Sequence, residues 1–166
     1  MARPLILVTM GTNDYPFTRL AKLLQEQPLY QSRECEWFVQ TGSCVVEQTP
    51  ALGEVCKLIP RDKMESLVRR SALVISHCGI GSLNLMLQYR KQVIFVPRVE
   101  KYGEFSDDHQ LQIAREIKNP LMDVVFPETP FPTIELDKLL GAVITDQPVD
   151  ITNYHLAKIV NYKLTA

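Results

Sequence analysis

Three uninterrupted apolar runs, Leu5-Ile6-Leu7-Val8, Ala72-Leu73-Val74-Ile75 and Val93-Ile94-Phe95-Val96, constrain this chain more than any other feature. A strand with one wet face alternates apolar and polar residues, whereas a run with no polar member must be covered on both faces. Each run ends at punctuation: Gly11-Thr12-Asn13 shortly after the first, Ser76-His77 after the second, Pro97 after the third. Between the runs the apolar residues change to helical spacing. They fall at Phe17, Leu20, Ala21, Leu23 and Leu24, then at Met64, Leu67 and Val68 behind Asp62 as a cap, then at Leu83, Leu85, Met86 and Leu87 within residues 82–89.

Shorter strands are expected at Glu36–Gln40, Val55–Ile59 and Val124–Phe126. A helix opens at Ser106-Asp107-Asp108 and carries Leu111, Ile113, Ala114 and Ile117, because acids favour a helix start. Pro127, Pro130 and Pro132 interrupt regular structure before a short helix over Ile134–Leu140. Alternating strands and helices with doubly buried runs define an α/β fold: a single Rossmann-like, doubly wound parallel sheet. At 166 residues the chain fits one such domain, read as 1–150. Residues 151–166 form a tail with Leu156, Ile159, Val160 and Leu164 on one helical stripe.

Composition narrows the partners. With 18 basic and 19 acidic side chains the net charge is -1, which gives no electrostatic footing for nucleic acid or an anionic membrane. Cys35, Cys44, Cys56 and Cys78 are unevenly spaced without a C-x-x-C pair, so they read as reduced structural thiols, and no metal is expected. The first apolar run is too short for a signal peptide or a membrane span. A cytoplasmic protein is expected, with any membrane contact peripheral.

In parallel sheets, ligands bind beyond the carboxyl ends of the strands. The residues expected there are Gly11-Thr12-Asn13, Gln40-Thr41-Gly42, Pro97-Arg98 and the turn Ser76-His77-Cys78-Gly79-Ile80-Gly81-Ser82. Gly79 and Gly81 permit positive φ and a close backbone approach to a ligand. Free N–H groups from Gly81 to Leu83 at a helix start would favour a diphosphate. Ser82 caps that helix or bonds a phosphate oxygen, and His77 is a satisfied strand-end histidine or a phosphate donor. Both alternatives stand for each residue. Further along, Asp107 suits a dipole role, while His109 and Gln110 offer hydrogen bonds to sugar or ribose hydroxyls at the same edge.

Two stretches, LVISHCGIGSLNLML and VPRVEKYGEFSDDHQLQIA, together resemble the C-terminal, donor-binding half of GT-B glycosyltransferases. The nearest resemblance is to the PssE-type small subunit of two-component bacterial polysaccharide transferases, itself similar to the catalytic small subunit of the eukaryotic dolichol-linked N-acetylglucosamine transferase. VTMGTNDYPF and the QTG at 40–42 extend it over roughly residues 4–117. The resemblance implies a UDP-sugar donor and no cofactor. Gly11, Thr12, His77, Gly79, Gly81 and Ser82 would surround diphosphate and sugar, Asp108, His109 and Gln110 the donor side, and Arg98 and Glu100 would complete the binding set. Broader relatives carry a ribose-contacting glutamate where this chain has Leu85, which leaves that contact to other residues.

The implied reaction is inverting transfer by direct displacement. His77, Glu104 and His109 are the candidates for the base that takes the acceptor's proton. Because such enzymes close a cleft between two domains, the resemblance implies a membrane-associated, PssD-type partner that brings a lipid-linked acceptor; the tail stripe either docks it or packs on the chain's own sheet. Arg98 and Lys101 hint at an acidic sugar, with glucuronate, galactose and N-acetylglucosamine all open. Two alternatives remain: a non-catalytic nucleotide-binding or interaction module whose glycines serve packing, and a self-sufficient sugar-nucleotide enzyme such as an epimerase.

Overall fold

A computed structural model describes residues 2–142, 144 and 147–151. Strands β1 (Leu5–Thr9), β2 (Glu36–Gln40), β3 (Gly53–Cys56), β4 (Leu73–His77), β5 (Val93–Val96) and β6 (Met122–Val124) form one sheet. Every pairing is parallel, and the spatial order is β3-β2-β1-β4-β5-β6. The helices are α1 (Thr18–Gln25), α2 (Arg61–Arg70), α3 (Ile80–Gln88), α4 (His109–Glu116) and α5 (Leu136–Leu140).

Successive strand residues point to opposite faces, so the apolar runs feed two cores at once. Ile6, Val8, Leu73 and Ile75 pack with Leu20 and Leu24 of α1 and Leu139 of α5. Leu7, Val74, Val93 and Phe95 pack with Leu67 of α2, Leu83 and Met86 of α3, and Ile113 of α4. Each such side chain, once buried, contributes about 2 kcal/mol, and a polar residue anywhere in these runs would forfeit that on one face. The doubly wound sheet expected from the runs is therefore the fold observed.

Several boundaries move, each for a local reason. The third strand is Gly53–Cys56 rather than Val55–Ile59. Gly53 has φ 145°, and a Cβ there would stand 1.9 Å from the Trp37 carbonyl oxygen, so only glycine starts this pairing. The chain leaves the sheet early enough to free Ile59 for another surface. The last strand is Met122–Val124 rather than Val124–Phe126, with Met122 buried beside Val93.

Asp62 sits inside the first turn of α2, with Pro60 at the cap position, and no side chain caps this helix. The fourth strand continues past Ile75 to His77, which pairs in register with Val96. α3 begins at Ile80, two positions ahead of Ser82, and α4 begins at His109 rather than Ser106. α5 begins at Leu136 rather than Ile134, whose N–H is taken by Gln27 Oε1 at 3.1 Å. All four cysteines are free. Burial pushes the thiol of Cys78 up to about 12, so it stays protonated at neutral pH. Among the described residues no helix is long and apolar enough to cross a membrane. The tail stripe from Leu156 to Leu164 lies outside the described residues.

Candidate functional site

The strand order reverses at β1 and β4, and a cleft of about 640 Å³ opens at their carboxyl ends. Thr9, Gly11 and Thr12 reach it from β1 and its following turn, Gln40 from β2 and His77 from β4. Gly81, Asn84, Leu85 and Gln88 form its wall on α3, and Arg61, Met64 and Glu65 the facing wall on α2. Both sets have the i, i+3, i+4 spacing of a single helix face. Buried Gln40 knits the floor: Oε1 accepts from Thr9 Oγ1 at 2.8 Å, and Nε2 donates to the carbonyls of Gly11 and Lys57, each at 2.9 Å.

His77 closes the other side of that floor. Its ring lies between two glycines: a Cβ on Gly79 would fall 2.4 Å from Cε1, and one on Gly11 3.1 Å from Nε2. Gly79 therefore makes room for an imidazole, at an ordinary extended φ of -83°. Gly81 is absent from the positive-φ glycines too, so neither glycine of the turn uses the left-handed freedom expected of it.

The tautomer of His77 follows from Gln110. Gln110 Oε1 accepts from the N–H of Cys78 at 3.0 Å and of Arg98 at 3.1 Å, which fixes the amide's orientation. Its Nε2 must then donate to His77 Nδ1, 3.3 Å away, leaving the ring proton on Nε2. Nε2–H in turn donates to Ser82 Oγ at 3.1 Å. Burial, helped by the Arg98 charge, pushes His77 down to about 4, so the imidazole is neutral at physiological pH. Both ring nitrogens are engaged, and Ser82, having accepted one proton, keeps its own hydroxyl hydrogen for the cleft.

Ser82 is thus not a cap: Gly79 holds that position, and no side chain caps α3. The first helical bond runs from Leu83 N to Gly79 O at 2.9 Å. The N–H groups of Ile80, Gly81 and Ser82 therefore lie outside the helix's own ladder, one residue earlier than the sequence indicated. With the helix dipole behind them, they favour an anion at this end of the cleft.

The remaining sequence candidates stand elsewhere. Arg98 is buried, with its guanidinium over the Phe17 ring at 4.6 Å. It donates to the carbonyls of Tyr15 and Glu104 at 2.8 Å each, and to that of Met10, so it faces the protein and not the cleft. Burial pulls it down to about 10, still charged at neutral pH. Glu104, also buried, receives Arg19 on both oxygens, at 2.8 and 2.9 Å, and the N–H of Val99 at 2.9 Å. Asp108 Oδ1 accepts from the Glu100 N–H at 2.9 Å, while His109 is half-buried with its own N–H on Asp107. Gln110 touches the cleft only through His77. The structure therefore brings together Gly11, Thr12, His77, Gly81 and Ser82, places Gly79 and Gln110 behind His77, and leaves Arg98, Glu100, Glu104, Asp108 and His109 off the cleft wall.

Sequence reasoning missed Thr9, Arg61, Met64, Glu65, Asn84 and Gln88. A signal existed for two of them: Asn84 and Gln88 continue the line of Gly81 along an otherwise apolar helix.

A doubly wound parallel sheet with its cleft at the β1/β4 switch point, against the uncapped start of α3, defines a Rossmann-like domain of the GT-B C-terminal type. The chain belongs to the glycosyltransferase family 28 C-terminal domain family, whose model matches residues 5–155. Among solved structures it is similar to the glycosyltransferase SnogD from Streptomyces nogalater, at 21% identity and a TM-score of 0.50. That likeness is one of fold and covers 77% of this chain, which spans only 34% of the other. A comparison with curated proteins finds no match.

Proposed function

We propose that this chain is the donor-binding, catalytic subunit of a heteromeric inverting glycosyltransferase. It would move a sugar from a UDP-sugar to a lipid-linked acceptor in exopolysaccharide or capsule biosynthesis. The observation that carries this reading is the start of α3: three N–H groups outside the helical ladder beside a Ser82 hydroxyl whose acceptor side is filled by neutral His77. Such donors suit the two charges of a departing diphosphate, which grow as the anomeric carbon is displaced, and stabilise them most in the transition state.

The division of labour follows from the base candidates His77, Glu104 and His109, the last of which lies off the cleft wall. His77 has no free nitrogen, and Glu104 is held by Arg19 and Val99, so neither is placed to take a proton from an acceptor. The acceptor site and the base then belong to a second, membrane-associated subunit of the PssD type, which would close over the carboxyl edge of the sheet. In this arrangement the chain works at the cytoplasmic face of the membrane through its partner.

A packing-only duty for the glycines has one observation in its favour, the tight seat of His77 against Gly79. Gly81 speaks against it, since a Cβ there meets nothing within 4 Å. The test is calorimetric titration of the chain with UDP and UDP-sugars, followed by transfer assays with and without the partner. Donor affinity in the chain alone, with turnover only after the partner is added, is expected. No UDP binding at millimolar concentration would overturn the proposal.

A further inference from the structure

Resting on that donor reading, the cleft also specifies how a nucleoside would be held. Once the diphosphate sits at the start of α3, the rest of the donor must run along the groove between α3 and α2. Among the polar side chains of Arg61, Asn84 and Gln88, the walls there offer apolar surface at Ile59, Met64 and Leu85, a setting for the faces of a flat base. Leu85 leaves the α3 wall without a carboxylate, its polar side chains there being Ser82 and the neutral amides of Asn84 and Gln88. Among the described residues lining the cleft, the only carboxylate is that of Glu65, across the groove on α2.

Glu65 is held in place before any ligand arrives. Its Oε1 accepts from the Tyr89 hydroxyl and from Arg69 Nη2 at 3.3 Å, and Arg69 itself reaches the Tyr89 hydroxyl at 3.0 Å. Oε2 takes no hydrogen bond from the described residues. The Tyr89 hydroxyl first, then Arg69 and Arg61, hold this carboxyl below its usual range, so it is an acceptor at neutral pH. An ionised acceptor with one oxygen braced and one open matches a vicinal pair of hydroxyls, each of which must donate. Carboxylates serve ribose hydroxyls in this way in other doubly wound nucleotide sites.

We propose that Glu65, braced by Tyr89 and Arg69, binds the ribose hydroxyls of the donor nucleotide, so that the nucleoside half of the site is built on α2 rather than α3. Ile59, Met64 and Leu85 line the same groove and suit a base, which assigns these hydroxyls to the adjoining ribose and not to the transferred sugar. The site then discriminates ribonucleotides from deoxyribonucleotides, because a missing hydroxyl leaves the carboxylate unpaired.

The experiment is titration of the full chain, wild type and Glu65→Gln and Glu65→Ala, with UDP, 2′-deoxy-UDP and a UDP-hexose. In the wild type, loss of the 2′-hydroxyl should weaken binding by about tenfold. Both variants should weaken UDP and reduce the ratio between UDP and its deoxy form to near one. Equal wild-type affinity for the two nucleotides would overturn this inference while leaving the donor reading intact, and that arm needs no variant to fold. Variants that lose affinity for the UDP-hexose but not for UDP would place Glu65 on the transferred sugar and also overturn it. A wild type that binds no UDP would remove both readings together.

Discussion

Ser82 and His77 behave as one unit, and their chemistry can be read atom by atom. The amide of Gln110 sets the imidazole proton on Nε2, that proton fills Ser82 Oγ, and the Ser82 hydroxyl is thereby aimed outward. Because the folded state keeps His77 at about 4 while an unfolded histidine sits near its ordinary value of 6.5, the unfolded chain binds the extra proton first. Stability should therefore be complete well above pH 6.5 and decline as pH falls toward 4, by on the order of 3 kcal/mol from this group. Urea melts across that window should show a shallower decline for His77→Gln than for the wild type. Gly81 offers an independent probe. Alanine is the better helix former by roughly 0.5–1 kcal/mol, and no neighbour obstructs its methyl group, so Gly81→Ala should raise the melting temperature. The same methyl projects into the cleft and should weaken UDP by about tenfold, a loss of roughly 1.4 kcal/mol. Stability and affinity moving in opposite directions is the signature of a residue kept small for a ligand.

Among the elements, the segment from Pro97 to Glu104 depends on two buried charges that do not pair with each other. Arg98 ties the turns after β1 and β5 through carbonyl oxygens, while Glu104 clasps Arg19 of α1 and the Val99 N–H. Removing one member of the Arg19–Glu104 pair strands the other, so Arg19→Ala, which leaves the buried Glu104 carboxylate uncompensated, should cost about 3 kcal/mol in chemical denaturation. Glu104→Ala should cost less, because the Arg19 it leaves behind is 24% exposed and water can replace its partner in part. Little of this was open to the sequence. Arginine is ordinarily a surface residue, and the carbonyls that Arg98 needs lie 83 and 88 positions away at Tyr15 and Met10. The helix starts were partly legible. Gly79 and Gly81 announced the turn into α3, but Gly79, which with Gly11 seats His77, takes the cap position, so the first helical residue is Ile80.

At the scale of the whole molecule, the doubly buried runs sufficed to define the sheet, since no other fold class covers both faces of so many strands. The switch point between β1 and β4, and the loops that crowd it, followed from that topology. The groove between α2 and α3 did not, because facing stripes such as Arg61-Met64-Glu65 and Gly81-Asn84-Gln88 meet only once the helices pack on one side of the sheet. The proposed function has this molecule contribute one wall of a larger active site. The most direct measurement is a titration of the nitrogen-15-labelled chain with UDP, followed by amide shifts. The account predicts the largest and saturable changes at Thr12 and at Ile80, Gly81 and Ser82. Saturable changes confined to the opposite edge of the sheet, around Leu52 and Arg70, with those amides unmoved, would contradict it.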